Sequence, residues 1–266
     1  MKKRLAKPVE SVLKVLAPGL SREASKIRRQ LRAGHGAEVG FLHLPKTGGS
    51  GIVSLGRKLV KDGQPFPVCF SHVWSFADVR ERYPKMRVTV VVRDPLERVI
   101  SGFNSRLRQG RPTFRGMMWR PAEAATFAMF PDVRRYLDAL IADDDWSVSA
   151  IAYARKSIQH LRWNNRFYFR NAEAVRAGAD RIALVGRIEA TDAFIAALLA
   201  EAGIPAERVA GLYERRHEAP VRTAGVLDGY GAGDVAKMRA RLAEEYAIYE
   251  ALLEIAAART AAGAAA

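Results

Sequence analysis

One short segment near residue 40 constrains the fold more than any other part of the chain. It begins with the apolar run Val39–Leu44, continues into the glycine-rich turn Pro45–Gly51 and ends in the amphipathic run Ile52–Val60. This order predicts a buried strand, a tight turn and a helix. Glycines allow backbone angles that other residues avoid, and they let a ligand approach the main chain. We therefore expect a strand–turn–helix unit of an α/β sheet here.

The turn also has the chemical composition of an anion site. The amides that open a helix have no partner within the helix, and the helix dipole favours negative charge there. A lysine and two hydroxyls at the same point suit a phosphate group. The predicted anion-binding residues are Lys46, Thr47, Gly48, Gly49, Ser50 and Gly51. The alternative is an ordinary strand-to-helix turn in which Lys46 is merely solvated.

The turn differs from a Walker A loop, in which the lysine follows the last glycine and directly precedes Ser or Thr. Here Lys46 comes before the glycines. An ATP-dependent kinase or nucleotide hydrolase would need a magnesium-holding hydroxyl beside the lysine and an acid at a strand end. Ser50 is misplaced for the first requirement, and the strand before Arg93 has no pattern that meets the second. A kinase is therefore the less favoured alternative.

A second segment has the same organisation. Val88–Val92 is continuously apolar and mostly β-branched, which is typical of a strand buried on both faces. Pro95 suits the first turn of a helix, and Asp94 can cap it. Arg93 then stands at the strand end, where its planar guanidinium suits a phosphate. An ion pair between Arg93 and an acid of the same segment, such as Glu97, is the structural alternative.

Together the two segments resemble sulfotransferases that use 3′-phosphoadenosine 5′-phosphosulfate (PAPS). The turn reads LPKTGGS and resembles the 5′-phosphosulfate loop of that family. The pattern Arg-Asp-Pro-x-x-Arg-x-x-Ser-x-Phe, which starts at Arg93, resembles its 3′-phosphate motif. The resemblance is to the branch that includes the carbohydrate 2-O-sulfotransferases, in a bacterial form. It covers residues 38–105 well and 157–205 loosely.

The resemblance implies a function and roles for individual residues. It implies transfer of a sulfuryl group from PAPS to a hydroxyl, on a carbohydrate, with PAPS as co-substrate and without a metal. Arg93 and Ser101 are expected to bind the 3′-phosphate. Lys46 is expected to contact the bridging oxygen and the 5′-phosphate, where negative charge develops on the leaving group.

The predicted general base is His72. It directly follows the short apolar run Phe66–Ser71, and the family branch places a catalytic histidine after this strand. Histidine titrates near neutrality, as a base for a hydroxyl requires. A hydrogen bond within a loop is the structural alternative for His72. His43, inside the first strand, is expected to be a packed residue.

The acceptor site is predicted from basic and aromatic residues further along the chain. The acceptor-binding candidates are Arg106, His160, Arg162 and Arg166, with Arg108, Arg111 and Arg115 in the same loop as Arg106. Trp119 and Trp163 are candidate platforms for sugar rings. A solvated basic face is the competing interpretation. Single-stranded nucleic acid is disfavoured because no nucleic-acid-binding motif accompanies these residues.

Composition limits the partners without choosing among them. The chain has 266 residues and a net charge of +15, which implies anionic partners such as a nucleotide, a nucleic acid, an acidic glycan or a membrane surface. Binding of lipid or nucleic acid through a basic surface is therefore a further alternative. Cys69 is the one cysteine, so an intramolecular disulfide is excluded.

The alternation of strand and helix patterns sets the expected architecture. We expect an α/β fold of three layers, with a P-loop-like parallel sheet and helices on both faces, over residues 37–260. A helical insertion is expected near residues 106–170. Ser147–Leu161 and Asp234–Ala258 are each expected to form one helix. Ligands of such sheets bind at the carboxyl ends of the strands.

Residues 1–36 are predicted to form a separate basic segment. A solvated leader and a peripheral contact with an acidic membrane are both open for it. No run of apolar residues is long enough to span a bilayer, and no signal peptide is predicted. A cytoplasmic location is therefore expected.

Overall fold

A parallel β-sheet lies at the centre of the computed structural model, which describes residues 39–64, 66–111, 117–205 and 224–264. The predicted basic segment 1–36 lies outside these ranges. The strands are β1 (Val39–Leu42), β2 (Val68–Phe70), β3 (Arg87–Val92) and β4 (Ile182–Arg187). They pair in the order β2-β1-β3-β4, and every pair is parallel. The prediction of a parallel α/β sheet is thus confirmed.

Helices connect and cover these strands. Those up to the middle of the chain are α1 (Gly49–Lys61), α2 (Phe76–Arg82), α3 (Pro95–Leu107), α4 (Pro121–Met129), α5 (Val133–Ile141) and α6 (Asp145–Ser157). They are followed by α7 (Gln159–Arg162), α8 (Asn165–Phe169), α9 (Ala172–Ala177), α10 (Thr191–Glu201), α11 (Ala232–Arg241) and α12 (Ala243–Ala264). Within the described ranges, no helix combines the length and the apolar content needed to cross a membrane.

Both faces of the sheet are buried under helices. Side chains alternate across a strand, so Phe41 of β1 points to one face and Leu42 to the other. Phe41 packs with α1 and α10 in a cluster that includes Leu55 and Phe194. Leu42 packs on the opposite face in a cluster that includes Ile248 of α12. The sheet is therefore the middle of three layers, as expected.

A second core lies among the helices that separate β3 from β4 in sequence. Phe103, Tyr136 and Ile158 are fully buried there, and the rings of Phe103 and Tyr136 are 5.3 Å apart. Met238 of α11 belongs to the same cluster. The predicted helical region thus packs against both α3 and the C-terminal helices.

Two helices that were predicted to be continuous are interrupted. The expected helix Ser147–Leu161 breaks at Ile158, and the expected helix Asp234–Ala258 breaks at Leu242. Both residues are inserted into the second core, with 0% and 1% exposure. At the second break the amide of Leu242 donates to the carbonyl of Arg239, three residues back. Burial of these side chains therefore overrides the local helical pattern.

The strand order creates a switch point between β1 and β3. From β1 the chain passes to β2 on one side, and it then crosses to β3 on the other side. In open α/β sheets, ligands bind outside the carboxyl ends of the strands at such a point. Lys46 follows β1 and Arg93 follows β3. The two predicted phosphate-binding elements therefore meet where this kind of sheet binds its ligands.

Candidate active site

The loop after β1 has an unusual backbone. Lys46 has a φ of 67° and Gly48 a φ of 81°. Glycine adopts this left-handed region easily, whereas for lysine it is uncommon and costs energy. Thr47 is fully buried, and its hydroxyl donates to the carbonyl of Leu44 at 3.0 Å. The Thr47 side chain thus stabilises the turn. Lys46, directly before it, adopts the left-handed backbone conformation.

The amino-terminal end of α1 is open to an anion. Its cap residue, Gly48, has no side chain, and no acidic residue lies in the first turn, Gly49–Ile52. The amide of Gly51 donates to the carbonyl of Gly48 at 3.3 Å. A Cβ atom on Gly49 would lie 2.3 Å from Cδ2 of His43. Glycine is therefore required where the helix end packs on β1, and amides remain at that end for a ligand.

Lys46 lies in a region of concentrated positive charge. The pKa of Lys46 is lowered to about 8, mainly by burial and additionally by the charges of Arg108 and Arg93. The repulsion shows that the β1 loop, the β3 loop and the end of α3 converge. An anion placed among these three cations would relieve their mutual repulsion.

Arg93 is held at the start of α3. Its Nε donates to the Glu97 carboxylate at 3.2 Å, so the ion pair considered as a structural alternative is present. Asp94 caps the helix and accepts hydrogen bonds from the amides of Leu96 and Glu97, at 2.9 and 3.1 Å. Ser101 lies partly exposed two turns into the same helix. Of the two predicted 3′-phosphate ligands, Arg93 therefore lies directly before the cap of α3 and Ser101 lies within the helix.

His72 is oriented as a base. Its Nδ1 lies 2.8 Å from the carbonyl oxygen of His43. A carbonyl oxygen only accepts, so Nδ1 carries the hydrogen and Nε2 of the neutral ring is left as an acceptor. Tyr168 donates to the His72 carbonyl at 2.9 Å, and the Trp163 ring stacks on the imidazole at 5.5 Å. The loop hydrogen bond considered as the alternative thus exists and fixes the tautomer.

The pKa of His72 also suits a base at neutral pH. Burial lowers this pKa, the hydrogen bond to His43 opposes the shift, and the charge of Lys46 adds to it. The ring is therefore neutral near pH 7, which is the form that accepts a proton.

His160 lies in the same electrostatic environment. The pKa of His160 is lowered to about 3, mainly by burial and additionally by the charges of Lys46 and His72. Its Nδ1 atom is buried and has no hydrogen-bond partner among the described residues. Its Cβ packs against Gly102 of α3. The neutral imidazole of His160, with its buried Nδ1, therefore lies close to Lys46 and to the predicted base His72.

The prediction that Arg106 faces the acceptor is wrong. Its side chain is 2% exposed and is bonded to the Glu123 carboxylate at 2.8 and 2.6 Å. The indole of Trp119 donates to the carbonyl of Arg106 at 2.7 Å, so this ring also belongs to the helical core. Both residues are used to build the second core, and neither stands free on a cleft wall.

The acceptor candidates Arg162 and Arg166 are exposed, whereas Arg115 lies outside the described residues. Arg162 lies over the Trp163 ring, 5.7 Å from its centroid. Arg166 forms an ion pair with Glu244. The site therefore brings together Lys46, His72, His160, Arg93 and Arg108, with Arg162 and Trp163 beside them.

Two contributors were not predicted as parts of the site. His43 is buried as expected, and in addition its carbonyl fixes the orientation of His72. Tyr168 supports the same loop from α8, 96 residues away in sequence. Strand periodicity indicates that His43 is buried, whereas no local pattern indicates the contact of Tyr168.

No protein-family model matches the chain, and no curated protein or solved structure is significantly similar to it. The fold and the site define an α/β protein with a cluster of cationic and histidine side chains at the switch point of its sheet.

Proposed function

We propose that this chain is a sulfotransferase that moves a sulfuryl group from PAPS to a hydroxyl of an acceptor, on a carbohydrate. The observation that carries the proposal is the convergence of Lys46 and Arg93 at the carboxyl ends of the adjacent strands β1 and β3. A nucleotide with anionic groups at both its 5′ and 3′ ends needs two such elements on one edge.

Different groups of the chain are proposed to bind the two ends of the nucleotide. In the proposal, the open end of α1 and the Lys46 ammonium receive the 5′-phosphosulfate, in a P-loop-like arrangement of strand, loop and helix. The Arg93 guanidinium and the Ser101 hydroxyl receive the 3′-phosphate. Arg108 adds positive charge close to Lys46.

The reaction requires a base and a stabilised leaving group. A bond forms from the acceptor oxygen to sulfur while the bond from sulfur to the bridging oxygen breaks. The hydroxyl proton passes to Nε2 of His72, and the negative charge that develops on 3′-phosphoadenosine 5′-phosphate is stabilised by Lys46 and the α1 amides. His72 is suited to this step because its Nδ1 is already bonded to His43.

The acceptor is proposed to lie on the side of His160, Arg162 and Trp163. Trp163 offers a ring face for a sugar, and Arg162 offers a cation for an acidic substituent. A cytoplasmic location is proposed with it.

Thermal melting with three nucleotides tests the proposal. We expect 3′-phosphoadenosine 5′-phosphate to raise the melting temperature more than AMP or ATP, because a ligand stabilises the state that binds it. Lys46→Ala should abolish most of this shift, whereas Lys61→Ala, at the exposed end of the same helix, should keep it. Equal or greater stabilisation by ATP would favour the kinase, and no shift with any of the three would overturn the proposal.

A further inference from the structure

Helix α12 begins with two neighbouring residues that both bind α3. Glu245 and Tyr246 lie in the first turns of α12, about 150 residues after their partners in sequence. Their partners, Asp94 and Arg98, are four residues apart, so they lie one above the other on α3. Helix α12 therefore contacts one face of the start of α3 at two points.

The first contact is made by Tyr246. Its hydroxyl lies 2.9 and 3.0 Å from the two carboxylate oxygens of Asp94. An ionised carboxylate only accepts, so the phenol donates. One of these oxygens also accepts the amides of Leu96 and Glu97. Tyr246 thus fixes the side chain that caps α3, immediately next to Arg93.

The second contact is a buried ion pair. Glu245 accepts from Arg98 at 2.5 Å and from Arg155 at 2.7 Å. The side chains of Glu245 and Arg98 are each 2% exposed. Arg98 also donates to the carbonyl of Trp163 at 3.1 Å. This pair fixes the body of α3, which leaves the contact of Tyr246 to set the orientation of its first turn.

The contact of Tyr246 also has an electrostatic effect at the phosphate site. The Asp94 carboxylate lies beside Arg93 and would repel a phosphate bound there. Donation from Tyr246, together with Arg239 at 4.0 Å, stabilises the negative charge of Asp94 and keeps the carboxylate turned towards the cap. A carboxylate held at the cap in this way competes less for the guanidinium of Arg93.

We propose that Tyr246 is a positioning residue for recognition of the 3′-phosphate. It acts through Asp94 on the start of α3, and it sets how strongly the site distinguishes a nucleotide with a 3′-phosphate from one without. This inference rests on the proposed function, because it assigns the 3′-phosphate to Arg93 and Ser101.

The test compares Tyr246→Phe with Tyr249→Phe by calorimetric titration. Tyr249 lies on the same helix, and its ring meets that of Tyr246 edge-on at 6.5 Å. The ligands are 3′-phosphoadenosine 5′-phosphate, 3′-AMP and 5′-AMP. We expect Tyr246→Phe to weaken the first two about tenfold, as loss of a hydrogen bond to a charged group does, and to leave 5′-AMP unchanged. Tyr249→Phe should leave all three unchanged.

The outcomes separate this inference from the proposed function. If the wild-type protein distinguishes the 3′-phosphate and Tyr246→Phe distinguishes it equally well, the inference is wrong and the proposed function stands. If the variant weakens all three ligands alike, Tyr246 has only a structural role and the inference is also wrong. If the wild-type protein binds the bisphosphate no better than 5′-AMP, the proposed function fails first and the inference fails with it.

Discussion

Lys46 holds its charge in a partly buried loop close to two guanidinium groups. Burial and these neighbours bring the pKa of Lys46 to about 8, so a modest rise in pH removes the ammonium. The second pKa of a phosphate is about 6, so the charge of the nucleotide no longer changes in this range. If the proposed nucleotide binds here, the change of its affinity with pH in this range therefore reports the protonation of Lys46.

We predict that the dissociation constant for 3′-phosphoadenosine 5′-phosphate changes little up to pH 7 and about doubles by pH 8, where half of the lysine is protonated. It then approaches a tenfold rise for each pH unit above about pH 9, because only the protonated lysine binds. Titrations across this range measure the effect. Lys46→Arg keeps its charge at every pH tested and should give a flat profile. A flat profile for the wild-type protein would show that Lys46 does not contact the ligand.

The two neighbouring histidines should differ in their effect on turnover. The pKa of His72 is lowered from its ordinary value, and burial and nearby charges lower that of His160 to about 3. Protonation of Nε2 removes the atom that takes the hydroxyl proton, so kcat should fall as the pH drops through the pKa of His72, which is lowered to the acid side of the ordinary histidine value.

We expect His72→Ala to lose about 10²- to 10⁴-fold in kcat and to lose the acidic limb of the profile, with nucleotide affinity kept. His160→Ala should keep the limb, because its pKa lies outside the assay range. The measurement is kcat against pH for both variants. An acidic limb that persists without His72 would assign the base elsewhere.

The first residue of helix α1, Gly49, packs closely on the ring of His43, which directly follows β1. An alanine at Gly49 would place Cβ 2.3 Å from Cδ2 and 2.7 Å from Nε2 of His43. The His43 ring is buried and stacked on Phe41, so it cannot move away without cost. The open end of α1 would therefore be displaced from its position under the anion site.

We predict that Gly49→Ala lowers the free energy of unfolding by about 1–3 kcal/mol and abolishes stabilisation by the bisphosphate nucleotide. Gly233→Ala is the matched control. Gly233 lies in α11, and a Cβ there meets nothing within 4 Å, so this change should stabilise by about 0.4–1 kcal/mol. Urea unfolding of both variants decides the matter, and equal stability of the two would contradict the packing described here.

Local patterns predict most of these elements but not their interruptions. The strand after Arg87 and the helix that starts at Pro95 have strong signals of their own, and the structure shows both. The breaks at Ile158 and Leu242 contain neither glycine nor proline. They occur because a distant core accepts these side chains, and a window of neighbouring residues does not contain that information.

A buried ion pair joins two helices of the second core, α3 and α4. Arg106 and Glu123 are 2% and 0% exposed, and Glu123 also accepts from the amide of Gln159 at 3.0 Å. Burial alone would raise the pKa of Glu123, but the hydrogen bonds from Arg106 outweigh it and the pKa is lowered. The pair is thus ionised, and removal of one partner leaves the other charge buried.

We predict that Glu123→Ala costs about 3–5 kcal/mol of stability, because it leaves Arg106 without its carboxylate. Glu254→Ala removes the partner of Arg176 in an exposed pair and should leave the unfolding midpoint almost unchanged. Chemical denaturation of the two variants measures the difference. A loss at Glu123 as small as that at Glu254 would show that Arg106 reaches water when its partner is removed.

The range of the contacts in sequence explains why the candidate site was only partly predictable. Lys46, His72 and Arg93 follow strands directly, so their position at one edge follows from parallel pairing. Arg106 looks like a surface arginine in a basic loop, and its burial depends on an acid 17 residues further along. Tyr246 approaches Asp94 from 152 residues away. Contacts of this range depend on how the helices pack, which composition and spacing do not specify.

The ion pair of Glu245 has a consequence for biosynthesis. A ribosome makes Arg98 long before it makes Glu245, which follows 147 residues later. Until then α3 has a guanidinium that must become buried without its carboxylate, so the helix cannot dock stably on the nascent chain. A polypeptide released before α12 would contain both segments of the candidate site and yet lack the contacts that hold α3 in place. Binding of the proposed nucleotide should therefore appear only after α12 has left the exit tunnel.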